Sequence, residues 1–212
     1  MLEILVADDH EVMRQGVSGL LEGEPNWRVC AQASDGREAV ALAARVAPHV
    51  AILDLTMPEL NGLEATRQIL KVSPPTKVLI FTVHDSEQLA REVLAAGAHG
   101  YVLKTDAASH LVSAVAALSA GSPYLSVRMS RARVDSTRTR AGSPTQVAPL
   151  TAREREITQL LAEGKSNWCV AQILSISAKT VETHRGNIMH KLGLESIVEL
   201  VHYAVRNQLV SP

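Results

Sequence analysis

Apolar and polar positions follow two rhythms along this chain, and the rhythm changes once. Through residue 120, short runs rich in Val, Ile and Leu recur between longer amphipathic stretches. The runs Leu2–Ala7, Trp27–Ala33, Val50–Asp54, Val78–Thr82 and Tyr101–Leu103 predict five strands. The segments between them are long enough for the helical crossovers that parallel strands require. One such segment, Glu11–Leu21, places Val12, Met13, Val17, Leu20 and Leu21 at helical spacing. Ser86 stands where it caps a helix ending before Gly97, and Asp106 where it caps Ala107–Ala120. The run His-Val-Ala-Ile-Leu-Asp at 49–54 does not alternate, as expected of a strand buried on both faces. Residues 1–120 thus read as one doubly wound, five-stranded parallel sheet.

From 121 to 148 the pattern breaks into Gly, Ser, Pro, Thr and Arg with few periodic apolar positions, the composition of a linker. Its arginines, Arg128, Arg131, Arg133, Arg138 and Arg140, are open to contact with phosphates or to keeping such a tether solvated. Beyond it, residues 149–212 are helical in period throughout. Thr151 to Glu154 spells a capping box and Gly164 ends the helix it opens. Ser166 caps a short second helix, Ser177 caps a third over Ala178–Leu192, and Ser196 to Glu199 spells a second capping box. Four helices with a Ser175-Ile176-Ser177 turn describe a small all-α helix-turn-helix domain.

Charge sharpens this division. The net charge is −1, yet residues 1–120 hold nine Lys/Arg against fifteen Asp/Glu, a balance of −6, and the remainder twelve against seven, +5. A basic back half is a candidate for nucleic acid. Two distant cysteines, Cys30 and Cys169, set an expectation of a reducing, cytoplasmic setting. The chain opens strand-like without a basic leader, and no run nears the ~20 apolar residues of a membrane span. No membrane partner is expected.

The candidate chemistry stands at strand ends, where open parallel sheets bind ligands. Asp8 and Asp9 follow the first strand, Asp54 ends the third, Thr82 the fourth, and Lys104 follows the fifth. Three close carboxylates call for a cation, and Mg²⁺ suits an oxygen set of Asp8, Asp9, Asp54 and the Thr56 backbone carbonyl. Asp54 is the candidate nucleophile for a phosphoryl group. Lys104 offers a second positive charge and Thr82 a hydroxyl for the phosphoryl oxygens. His84, two residues past Thr82, stands where it can overhang the mouth of the site. An aspartyl-nucleophile phosphatase would want a second acid close after Asp54, but Thr56 stands there, so no enzyme is expected.

These residues resemble the receiver domain of bacterial two-component response regulators: an acidic pair after strand one, Asp-x-x-Met-Pro-x-x-Asn-Gly from Asp54 to Gly62, then Thr82 and Lys104. The resemblance implies a flavodoxin-like α/β fold, Asp54 as phospho-acceptor, Mg²⁺ as cofactor, a sensor histidine kinase as phosphodonor, and Thr82 with Tyr101 as a switch pair. One departure is Thr105, where many receivers carry proline.

Residues 150–208 resemble the LuxR-type helix-turn-helix, through Leu-Thr-x-Arg-Glu at 150–154, Ile-Ser-x-x-Thr-Val at 176–181 and His-x-x-x-Ile-x-x-Lys-Leu at 184–192. The two together resemble the NarL/FixJ class. This implies binding to double-stranded DNA as a homodimer when phosphorylated, with the helix after Ser177 in the major groove. Glu182, Thr183, Arg185 and Gly186 then face base edges, and Lys179, Thr180 and Lys191 lie nearer the backbone. Asn187 offers a further hydrogen bond. Trp168 and Cys169 stand where the family carries polar residues. Trp168 is open to contact with DNA, another domain or a partner, or to packing on the linker.

Overall fold

A computed structural model describes residues 1–125 and 150–210, in two compact units. In the first unit, strands and helices alternate as β1 (Leu2–Ala7), α1 (Glu11–Glu22), β2 (Trp27–Ala33), α2 (Gly36–Val46), β3 (Val50–Leu53), α3 (Gly62–Val72), β4 (Lys77–Thr82), α4 (Glu87–Ala95), β5 (Gly100–Leu103) and α5 (Ala108–Ser119). A short β6 (Tyr124–Leu125) follows. All pairings are parallel, in the order β2-β1-β3-β4-β5-β6. The order turns outward on both sides of β1 and β3, so the loops after β1, β3, β4 and β5 meet at one edge.

Central strands obey the non-alternating pattern: Val50, Ala51, Ile52 and Leu53 are all buried. Ile4, Val6, Ile52, Leu79, Phe81 and Val102 share one sheet face with Val17 and Leu21 of α1 and Leu111, Val115 and Leu118 of α5. At about 25 cal/mol per Å² of apolar surface removed from water, this aliphatic layer is the main stabilising term of the unit.

Four sequence expectations change. The sheet has six strands among the described residues, not five. Tyr124 and Leu125 pair with Gly100 and Tyr101, inside what the sequence reads as linker. A two-residue strand behind Gly121-Ser122-Pro123 carries no periodic signal of its own. The rest of that segment, from residue 126, lies outside the described residues with its five arginines. Asp106 does not cap α5. The N-cap is Ala107, without a side-chain bond, and the Asp106 carboxylate instead accepts from the Leu103 amide at 3.2 Å. Val12 is 87% exposed, since it lies about 140° around α1 from Val17.

In the second unit, α6 (Ala152–Ala162), α7 (Asn167–Leu174), α8 (Ala178–Leu192) and α9 (Ile197–Arg206) enclose Ile157, Leu160, Val170, Leu174, Val181, Ile188 and Leu200. Thr151 and Glu154 form the expected capping box, and Ser166 and Ser177 cap α7 and α8. At α9, Ser196 accepts from the Glu199 amide, but Glu199 reaches past Ser196 to the Glu195 amide, so the second box is half formed.

Candidate phosphoryl-acceptor site and nucleic-acid interface

Strand ends bring the acidic residues together. Asp54 is buried directly after β3, and its Oδ1 accepts from the Leu55 amide at 2.6 Å. Its Oδ2 lies 2.8 Å from Lys104 Nζ, which also lies 2.7 Å from Asp8 Oδ2. One ammonium therefore bridges two buried carboxylates. Asp9 is exposed beside them and meets His10 Nδ1 at 2.8 Å. Ligand atoms of Asp8, Asp9, His10 and Asp54 all lie within 4.8 Å of one another.

Electrostatics follow from this enclosure. Burial pushes the Asp54 carboxyl above the usual range, against the pull of Lys104. For Lys104, burial acts downward, but the Asp54 and Asp8 carboxylates outweigh it and hold its pKa up. A further cation among these oxygens would relieve the crowding of carboxylates, and the carboxylate oxygens of Asp8, Asp9 and Asp54 are of the kind that fits Mg²⁺.

The loop after β3 is shaped by Gly62. A Cβ there would stand 2.2 Å from the Asp54 carbonyl oxygen, and the Gly62 amide donates to the Leu55 carbonyl at 2.7 Å. Asn61 caps α3 by accepting from the Glu64 amide. The Asp54-to-Gly62 motif thus turns the chain back on Asp54 itself.

On the far side, Thr82 is fully buried at the end of β4, and its Oγ1 accepts from the His84 amide at 3.3 Å. Tyr101 is also fully buried, and its hydroxyl donates to the His84 carbonyl. Burial first, then the charges of Asp85 and Asp54, push this phenol up. The His84 ring reaches Thr56 Oγ1 at 2.8 Å. His84 therefore ties both switch candidates to the loop carrying the acceptor, a larger part than its position in the sequence suggests. His10 and Arg14 were missed by sequence reasoning. Arg14 donates to the Asp8 carbonyl at 2.6 Å, and a residue one turn into the helix after the acidic pair carries that signal weakly.

In the helical unit, Ser175 takes a left-handed conformation (φ 52°) and turns the chain from α7 into α8. Val181 and Ile188 face inward while Lys179, Thr180, Glu182, Thr183, Gly186 and Asn187 are exposed and Arg185 is half-buried. Lys179 pairs with Glu182 at 2.8 Å, and Thr183 Oγ1 donates to the Lys179 carbonyl. Lys191 departs from that outer face: its Nζ lies 2.9 Å from Glu154 Oε2 of α6. Trp168 is 66% exposed near the start of α7.

Comparison with known proteins agrees with both halves. Residues 4–116 match the response regulator receiver domain, and residues 148–204 match the bacterial regulatory proteins of the luxR family. The chain is 37% identical over 211 residues to the transcriptional regulatory protein LiaR of Bacillus subtilis (strain 168), covering 100% of each. It is 38% identical to the oxygen regulatory protein NreC of Staphylococcus carnosus (strain TM300), over 99% of each. Among solved structures, two RcsB dimers bound to two parallel DNAs give a TM-score of 0.60 at 27% identity, covering 95% of this chain and 96% of that one. Two buried carboxylates with an exposed third beside them on a receiver sheet, followed by a capped helix-turn-helix, therefore have a plain family assignment: the chain belongs to the NarL-class response regulators, transcription regulators that join a receiver domain to a LuxR-type DNA-binding domain.

Proposed function

We propose that Asp54 accepts a phosphoryl group from the phosphohistidine of a sensor kinase, and that this controls how the module around α8 binds double-stranded DNA. The observation that carries the reading is Lys104 bridging Asp8 and Asp54 at the carboxyl edge of the sheet. An Asp54 oxygen attacks phosphorus, the phosphorus–nitrogen bond breaks, and its electron pair leaves with the imidazole. Lys104 Nζ stands where it meets the charge arriving on the phosphoryl oxygens. Asp8, Asp9, Asp54 and the Thr56 carbonyl would hold Mg²⁺, which supplies further positive charge to the same oxygens.

Thr82 and Tyr101 form the switch. Both engage His84 now, so a phosphoryl group that recruits the Thr82 hydroxyl takes it from the His84 amide and disturbs the loop that Tyr101 holds. The equilibrium moves only by the differential free energy of the two states. DNA contact falls to Lys179, Thr180, Glu182, Thr183, Arg185, Gly186 and Asn187, in the major groove. A homodimer formed on phosphorylation engages two half-sites and gains affinity by effective concentration. The protein works in the cytoplasm, in keeping with two free cysteines and, among the described residues, no helix long and apolar enough to cross a membrane. It is a regulator without substrate turnover.

Acetyl phosphate and Mg²⁺ test this. Mass spectrometry should find one phosphoryl adduct on the wild type and none on Asp54→Asn, and the adduct should tighten DNA binding. A labelled Asp54→Asn, continuous release of phosphate from a phosphate monoester, or unchanged DNA affinity overturns the reading.

A further inference from the structure

Two consecutive side chains at the start of α6 reach the far ends of both helices of the turn pair. Arg153 Nη2 donates to the Leu174 carbonyl at 3.0 Å, the last residue of α7. That carbonyl belongs to the group a helix leaves without partners at its C-terminus. Glu154 Oε2 accepts from the Thr151 amide at 2.7 Å and from Lys191 Nζ at 2.9 Å, in the last turn of α8. One turn of α6 thus grips the ends of the scaffold helix and of the helix presented to DNA.

The charges agree with the helices that carry them. A carboxylate in the first turn of α6 and an ammonium in the last turn of α8 each suit the local helix dipole, and here they also face each other. Lys191 first, then the Thr151 amide, hold the Glu154 carboxyl below the usual range. Enclosure separates this lysine from its neighbour on the same helix. The Lys191 side chain is 24% exposed and that of Glu154 13%, against 82% for Lys179. An ammonium turned inward onto a carboxylate is spent within the module, whereas one on the outer face can neutralise a phosphate.

We infer that Arg153 and Glu154 are positioning residues that set the angle at which α8 meets DNA, and that Lys191 acts by holding that angle, not by touching a phosphate. This rests on α8 being the DNA-contacting helix. A wrong angle misplaces hydrogen bonds to base edges, which need geometry, while leaving the general attraction of the surface for a duplex nearly intact. The expected signature is lost discrimination between sequences.

The test uses the full chain, phosphorylated with acetyl phosphate and Mg²⁺. The probes are a duplex enriched from a random library by the wild type and a scrambled duplex of equal length. Enrichment by the wild type comes first and tests DNA recognition itself; its failure sinks that reading separately from this inference. Lys191→Met and Glu154→Gln should each weaken the enriched duplex about tenfold, the effect of a charge-assisted hydrogen bond, and the scrambled one much less. Lys191→Arg should restore affinity, and the double variant should bind no worse than Lys191→Met alone. The slope of log K against log salt should match the wild type. Arg153→Lys, which keeps the charge but shortens the reach to Leu174, should show the same selective loss. It carries the test if Lys191→Met fails to fold. A slope reduced by about 0.9 in Lys191→Met, with both duplexes weakened alike, would make Lys191 a phosphate contact and overturn the inference. So would unchanged discrimination in Glu154→Gln and Arg153→Lys.

Discussion

The two functional regions are built on opposite plans. The phosphoryl site gathers single residues from the ends of four strands and buries their charges: Asp8, Asp54 and Lys104 hold one another in place. The proposed DNA face takes its residues from one helix and leaves most of them exposed. Where charges are buried, neighbours fix their geometry and a small change is costly. Where they lie open, the partner supplies the geometry and the free protein tolerates change.

The hardest strain on this contrast comes from Gly62→Ala. Its Cβ meets a backbone carbonyl at 2.2 Å, which no side-chain rotation relieves. We expect a loss of about 3 kcal/mol or more in urea denaturation of the sheet unit, with failure to take up phosphate. A normal midpoint would show that the loop after β3 is free to give way.

Next in size is Tyr101→Phe. Removing the hydroxyl takes away the partner of the half-buried His84 carbonyl, with an expected cost of about 1 kcal/mol. An unchanged unfolding midpoint would place that carbonyl in contact with water.

Acid titration sharpens the comparison from the helical side. Glu154 has a folded pKa below its unfolded value, so its contribution is full above the unfolded value and drains away as pH falls through the folded one. Thermal melts of the helical unit should weaken across that window in the wild type and lose this component in Glu154→Gln. A variant with the same acid sensitivity removes Glu154 from the account.

The smallest expected change is Val12→Ser, within about 0.5 kcal/mol by denaturation, since the side chain lies open to solvent on α1. A large loss would mean that this face is covered in solution.

What the sequence made legible follows the same division. Asp54 and Lys104 could be placed because a non-alternating apolar run can only end at one edge of a parallel sheet. Ser166, Ser177 and Thr151 could be placed because cap chemistry is local. Asp106 shows the limit of that reasoning. Its carboxylate suits a helix cap and a loop amide equally, and the path of the chain after β5 decides for Leu103. His84 and Lys191 were harder for a different reason. Their partners, Thr56 and Glu154, lie 28 and 37 residues away, and no period or spacing announces such a pairing.

The short strand β6 bears on where this protein can be cut. Tyr124 and Leu125 cover the open edge of β5, the strand that carries Tyr101. A truncation at residue 120 would strip that edge and leave unpaired backbone groups ready to recruit a strand from another molecule. An isolated receiver that stays monodisperse should therefore retain residues through Leu125.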